Sequence, residues 1–305
     1  MYFINNIEIN YFILFKMPRK KSEKDEHGKD IILPKTYILL DISYFIFYRY
    51  YALIGWWKLA MPDDELGIPI ENDEFVKKFK KTFIDKIKEI PKKLKIMNYE
   101  VIAASDCSKK DIWRHQLFDK YKENRVYEDD FLGGPFFKLG FDILNEMNIK
   151  RMCHPHLEAD DCIAITAKKL LSTESSGGLP CNILIVANDM DYLQLSCPRI
   201  TLMNLKYKYL TDNKKWSGIP EKDLFCKIVM GDKSDNIPSI FKKCGPKTAE
   251  KCYEDREYFK DLLKKEDAEE RYMQNTKLVD FNDIPDNLIQ EFLQTYNDLF
   301  NSPFC

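Results

Sequence analysis

The residues best suited to chemistry are carboxylates, and each stands just after a short apolar run. Tyr37-Ile-Leu-Leu ends in Asp41, and Val101-Ile-Ala-Ala-Ser ends in Asp106. Ile183-Leu-Ile-Val-Ala-Asn ends in Asp189, with Asp191 two residues on, and a weaker run at 149–153 leads into Glu158-Ala-Asp160-Asp161. Carboxylates packed within ~4–6 Å raise one another's pKa, so such a group stays ionised only around cations. Oxygen donors with no His or Cys partner select Mg2+ or Mn2+ over zinc. Taken singly, each acid reads as the cap of the following helix; taken together they read as a metal centre. A further pair, Asp232 and Asp235, lies in Gly231-Asp-Lys-Ser-Asp-Asn-Ile-Pro238, where Gly and Asn permit tight turns. His154 and His156 flank a proline and, with carboxylates dominating, read as loop residues.

These acids converge only if the chain places their strands side by side. From Lys35 onward, strand-length apolar runs at 37–40, 101–104, 149–153 and 182–187 alternate with helical patterns. That is the signature of βαβ units, so the fold class is α/β with a mainly parallel sheet flanked by helices. Ligands of such sheets bind beyond the carboxyl ends of the strands, and four segments would deliver acids to that edge. Residues 75–94 carry Val76, Phe79, Phe83, Ile87, Ile90 and Leu94 at helical spacing, with the lysines largely on the other side. A solvated lysine face is favoured there over a DNA contact. A helix over 162–171 gives way to a flexible connection at 172–180, and a strand pair is expected around 201–210. The expected organisation is an extension and polar linker over 1–34, an α/β core over 35–211, and a helical region over 212–305.

Composition narrows the class. The chain has 305 residues and is 45% hydrophobic, enough for a substantial core. Lys plus Arg (47) nearly balance Asp plus Glu (49), so any nucleic-acid binding must come from segregated patches. The nine cysteines are scattered and odd in number, against a disulfide framework and for a reducing, intracellular setting. Residues 1–15 lack a basic leader and a cleavage site and are too short to span a bilayer, so neither secretion nor a membrane partner is expected.

The motifs together resemble the 5′-3′ exonuclease and flap endonuclease family, as found in bacteriophages and in the 5′ nuclease domain of bacterial DNA polymerase I. The matching segments are Asp41-Ile-Ser43 with Tyr48-Arg49; Asp106 with Arg114 and Tyr121-Lys122-Glu123-Asn124-Arg125; and Glu158-Ala159-Asp160-Asp161. Asp189-Met190-Asp191 and Gly231-Asp232-Lys233-Ser234-Asp235-Asn236-Ile237-Pro238, with Gly245-Pro246-Lys247-Thr248-Ala249 behind, complete the order over roughly 36–254. An ordered set is far more specific than one motif.

The resemblance implies a PIN-like nuclease domain with a helical arch, plus a helix–three-turn–helix element at about 220–254 that grips duplex DNA. It implies a two-metal hydrolysis of branched, flapped or 5′-ended DNA by a monomer active where DNA is replicated or repaired, with Mg2+ as the ion and Mn2+ able to substitute. Asp41, Asp106, Glu158 and Asp160 would hold one ion and Asp189, Asp191 and Asp235 the other, with Asp161 and Asp232 in outer positions. Lys122 and Arg125, with Arg114 assisting, would meet the scissile phosphate. Lys242, Lys243, Gly245, Lys247 and Thr248 would contact the DNA backbone, and a monovalent cation at the hairpin is a further implication.

The sequence departs from the family at several points. Ile42 follows the first Asp in place of Gly, and Ala187-Asn188 precede Asp189. Lys243-Cys244-Gly245 stands where Gly-Ile-Gly is usual, and the arch segment 126–137 carries Glu128, Asp129 and Asp130. Two other functions compete, a PIN-type ribonuclease and a DNA-binding protein without catalysis. A dehalogenase-type phosphatase is disfavoured because Ser43 stands where a second Asp is needed. Gln290-Glu-Phe-Leu-Gln-Thr-Tyr296 partly resembles a sliding-clamp peptide, but Asn297 replaces its second aromatic, and an amphipathic terminal helix is favoured.

Overall fold

The computed structural model describes residues 34–125, 131–175 and 180–300. At its centre is a parallel sheet in the order β3-β2-β1-β4-β5. The strands are β1 (Lys35–Asp41), β2 (Tyr99–Ala104), β3 (Lys150–Met152), β4 (Cys181–Val186) and β5 (Ile200–Met203). The register runs Leu40 beside Ala103 on one side and beside Val186 on the other, so Asp41, Asp106 and Asp189 emerge along one edge. After β3 the chain returns to the far side of β1, which puts the switch of strand order at the sheet centre, where a crevice opens.

The near-continuous apolar strands are those of a sheet covered on both faces. Tyr37 and Leu39 of β1, with Ile183 and Ile185 of β4, point to one core, where α4 (Ala159–Ser175), α9 (Asp286–Thr295) and α10 (Asn297–Phe300) pack. Ile38 and Leu40, with Leu184 and Val186, point to the other, beneath α1 (Ile42–Ala60), α2 (Asp73–Lys93) and α3 (Gly134–Glu146). The expected apolar stripe of α2 is its buried face, with Phe75, Phe79 and Phe83 fully enclosed. Lys78 lies over the Trp56 ring at 3.3 Å, and Trp57 and Trp113 are buried.

A third core joins α5 (Pro220–Met230), α6 (Pro246–Glu254), α7 (Arg256–Glu266) and α8 (Glu269–Val279) around Phe225, Val229, Phe241 and Phe259. Ile228 and Ile237 then pack with Ile112 and Tyr121, tying that layer to the crevice edge.

One expectation is corrected. The segment after Thr201 is not a strand pair: β5 pairs in parallel with β4, and only an isolated antiparallel bridge from Met203 to Tyr209 follows. The last helices pack onto the sheet layer, with Phe292 and Tyr296 buried against α4. Residues 1–33 and residues 126–130 of the expected arch segment, with Glu128, Asp129 and Asp130, lie outside the described residues. Among the described residues no helix is long and apolar enough to cross a membrane.

Candidate active site

The sheet edge delivers the acids, and local hydrogen bonds orient them. Asp41 is both strand end and helix cap: its Oδ1 accepts from Tyr44 N at 3.0 Å, and its Oδ2 from the Tyr192 hydroxyl at 3.4 Å. Capping and facing the crevice are therefore compatible roles for one carboxylate. Asp106 accepts from Ala159 N at 2.9 Å through one oxygen and from Ser43 Oγ at 2.5 Å through the other. Asp189 caps the short helix Met190–Leu195 by accepting from Asp191 N. Asp41, Asp106, Glu158, Asp160 and Asp189 line one crevice of about 810 Å³, with Lys122 and Arg125 on its wall.

Beside this crevice stands a second group, Asp191, Asp232 and Asp235, whose ligand oxygens lie within 4.8 Å of one another. Its loop is shaped by backbone requirements. Gly231 has φ +73°, and a Cβ there would sit 2.4 Å from the Ile237 carbonyl oxygen, so only glycine fits. Asp232 and Ile237 exchange backbone hydrogen bonds at 2.9 and 2.8 Å, with left-handed Asn236 closing the turn. The loop is strapped to residues 120–125: Lys122 N donates to the Asp235 carbonyl, Asn124 to that of Lys233, and Asn236 to that of Lys120. This explains why two motifs far apart in sequence act as one unit.

Charge in the site is compressed. Burial, then the neighbouring Asp106 and Asp189, push Asp41 up to about 7. Burial, with Asp161 and Glu158, holds Asp160 well above the ordinary carboxylate range. Burial raises Asp191 to about 6 against the pull of Lys227. Burial would also raise Asp232, but Lys227 and Ser234 outweigh it and bring it to about 2. Clustered acids at raised pKa with only oxygen donors are the surroundings a hard divalent cation fits.

The structure separates the basic residues. Lys122 is ion-paired to Glu158 and lies 3.9 Å from Asp235, while Arg125, partly exposed, pairs with Asp235 at 2.5 Å. The expectation that Arg114 assists at the phosphate is not met. Arg114 is 2% exposed and fully engaged: it grips both Asp161 oxygens at 2.8 and 2.7 Å, donates to Glu158 at 3.0 Å and to the Leu278 carbonyl at 2.9 Å. Asp161 is likewise enclosed and also accepts from the Trp113 indole at 3.0 Å, so it buttresses Glu158 and Asp160 from behind. Lys242, Lys243 and Lys247 are exposed around the start of α6, with Thr248 partly so. Gly245 there is extended with open space at its Cβ, so nothing in the turn itself demands glycine.

Three residues escaped the sequence reading. The Tyr121 hydroxyl contacts Glu158 at 3.1 Å and Asp235 at 3.2 Å, bridging the two acid groups. Tyr192 touches Asp41, and Lys227 on α5 places its ammonium between Asp191 and Asp232. Tyr121 opens the segment Tyr121-Lys122-Glu123-Asn124-Arg125 and Tyr192 directly follows Asp191, so both were readable as part of the motifs. Lys227 had no such signal, because a lysine on an amphipathic helix reads as solvated.

The profile of the family described as "5′-3′ exonuclease, N-terminal resolvase-like domain" matches residues 36–222. Among curated proteins, the chain is 29% identical over 273 residues to Ribonuclease H of Enterobacteria phage T4, covering 81% of this chain and 86% of that one. It is 37% identical over 154 residues to a 5′-3′ exonuclease of Buchnera aphidicola, covering 49% of this chain and 50% of that one. The alignment thus spans only about half of the latter relative. Among solved structures, a phage T5 5′-exonuclease with bound zinc superposes with TM-score 0.59 at 16% identity, covering 87% of this chain and 100% of that one. The phage T5 flap endonuclease in complex with DNA and metal ions superposes with the same TM-score of 0.59 at 15% identity, over 88% of this chain and 100% of that one. At such identity the likeness is one of fold.

Proposed function

The chain belongs to the 5′-3′ exonuclease family, and from that premise we propose that it is a structure-specific 5′ nuclease. Its substrate in this reading is branched, flapped or 5′-ended DNA, and its ion is Mg2+. The observation that carries the reading is the gathering of Asp41, Asp106, Glu158, Asp160 and Asp189 in one crevice with Lys122 and Arg125.

In the proposal Asp41, Asp106, Glu158 and Asp160 hold one ion, and Asp189, Asp191 and Asp235 hold a second, with Asp161 and Asp232 outside them. Bound there, a pair of divalent ions supplies an activated water and charge for the leaving oxygen. The protein's own contribution is position. Ser43 and Ala159 N fix both oxygens of Asp106, Tyr44 N and Tyr192 fix Asp41, and Tyr121 holds Glu158 in line with Asp235. Such preorganised donors cost no rearrangement as the reaction proceeds. Lys122 and Arg125 now pair with Glu158 and Asp235; with those carboxylates otherwise engaged, both turn to the scissile phosphate. No side chain acts as nucleophile.

Duplex binding is assigned to the start of α6. Pro246 occupies its first turn, free N–H groups there point outward, and Lys242, Lys243 and Lys247 add positive charge. Contacts of this kind follow backbone shape and salt and carry no base code.

The T4 relative's name, Ribonuclease H, favours a second reading in which the cut strand includes RNA paired to DNA. One experiment addresses both. A labelled 5′-flap duplex, its counterpart with a 5′ RNA segment, and an unbranched blunt duplex are incubated with Mg2+ and either wild type or Asp160→Ala. Wild type should release a product cut near the junction, and the variant should not. Cutting that survives Asp160→Ala, or that proceeds in EDTA, would refute the proposal.

A further inference from the structure

We infer that Lys227 is a built-in counter-cation of the Asp191, Asp232 and Asp235 group and competes with the second divalent ion for its carboxylates. The inference rests on the two-ion reading above and adds a residue that the reading does not use. The Lys227 ammonium forms ion pairs with Asp191 and with Asp232, the latter at 2.7 Å, and the side chain is only 26% exposed. Its direction is fixed by the helix that carries it, because Phe225, Ile228 and Val229 on either side are buried in two different cores.

The two acid groups differ in how their charge is met. In the first, Arg114 is locked on Asp161 at the back, Lys122 pairs with Glu158, and Asp41, Asp106 and Asp160 have no ion-pair partner among the described residues. In the second, every member is already paired, Asp191 and Asp232 with Lys227 and Asp235 with Arg125. Lys227 and the second ion would both draw on the Asp191 carboxylate and repel each other across it, so each weakens the other's hold. Filling the second group therefore favours withdrawal of Lys227, and its long flexible stem allows that without moving α5. The first ion meets an ammonium at one of its four carboxylates only, where Lys122 pairs with Glu158. Lys227 thus makes the two sites unequal, and it keeps the second group neutralised until an ion displaces it.

The test measures ion binding without DNA. Mn2+ is titrated into wild type and Lys227→Gln, with free Mn2+ followed by electron paramagnetic resonance. Wild type should show one tight and one weak site. In Lys227→Gln the weak site should tighten by roughly 5- to 150-fold, the range of ordinary coupling between two ligands, while the tight site stays as it was. Equal second-site affinity in both proteins, or weaker affinity in the variant, overturns the inference alone. Absence of any Mn2+ uptake by wild type overturns the two-ion reading and the inference with it. Should Lys227→Gln not fold, wild type carrying 13C-methylated lysines serves, with Lys227→Arg to identify the signal. The Lys227 resonance should move with the second equivalent of Mg2+ and not the first; a resonance that stays fixed through both overturns the proposal.

Discussion

Stripped of divalent ions, this protein should lose stability as pH rises from weakly acidic to neutral, opposite to the usual acid denaturation. The cause is Asp41, whose carboxyl moves from an ordinary 3.8 to about 7 through burial and the nearby Asp106 and Asp189. A folded state with the higher pKa binds the proton more tightly than the unfolded chain. The stabilisation is therefore complete below the ordinary value and is lost as pH rises through the folded one. At 1.36 kcal/mol per pH unit, the span from 3.8 to about 7 caps the loss at about 4 kcal/mol. Asp41 keeps some contact with solvent in the crevice, which trims this to roughly 2–4 kcal/mol. Asp191, raised to about 6, acts in the same direction. Asp232, lowered to about 2, acts only below its ordinary value of 3.8 and leaves this window untouched. The assay is thermal melting between pH 5 and 8 in EDTA and in Mg2+, on wild type and Asp41→Asn. In EDTA the wild-type melting temperature should fall by roughly 5–10 °C across the window, Asp41→Asn should show a shallower slope, and Mg2+ should abolish the slope. A wild-type melting point that rises with pH in EDTA, or an unchanged slope in Asp41→Asn, would refute the reasoning.

Other consequences follow from single residues. Arg114→Leu leaves Asp161 buried and unpaired, so unfolding should become easier by about 3–5 kcal/mol, read from chemical denaturation; a loss below about 1 kcal/mol would contradict the buttress role. Gly231→Ala adds a Cβ against the Ile237 carbonyl at φ +73° and should destabilise by at least about 1–3 kcal/mol, with a fall in Mn2+ uptake at the Asp232–Asp235 loop; an unchanged denaturation midpoint would count against the geometry. Replacing Lys242, Lys243 and Lys247 with Ala should weaken duplex binding and flatten its salt dependence by roughly 0.9 in logarithmic slope per lost contact. Base order should not alter that result, as fluorescence anisotropy on duplexes of different sequence can check.

Much of the fold was legible because strand signals here are local. Apolar runs such as Ile38 to Leu40, bounded by a terminal acid, advertise both a buried parallel strand and the edge at which it ends. The parallel pairing of β5 was not legible, since Ile200–Met203 is short and an adjoining bridge mimics a hairpin. Nor was the burial of Phe292 and Tyr296, because an amphipathic helix does not say which surface its apolar face will meet. In the site, acids spaced along the chain declared themselves by position, whereas the basic residues did not. Arg114 and Lys122 stand eight positions apart in one basic segment, yet one is locked behind the site and the other lines the crevice. What separates them is packing: Arg114 lies in a short helix under Leu278, and Lys122 in a left-handed turn pinned to Asp235.

Crystals soaked in Mn2+ and measured at the manganese absorption edge would probe the central claim most directly. Two anomalous peaks are expected, one within coordination distance of Asp41, Asp106, Glu158 and Asp160 and one beside Asp189, Asp191 and Asp235. A single peak elsewhere on the surface, or none at saturating Mn2+, would contradict the account.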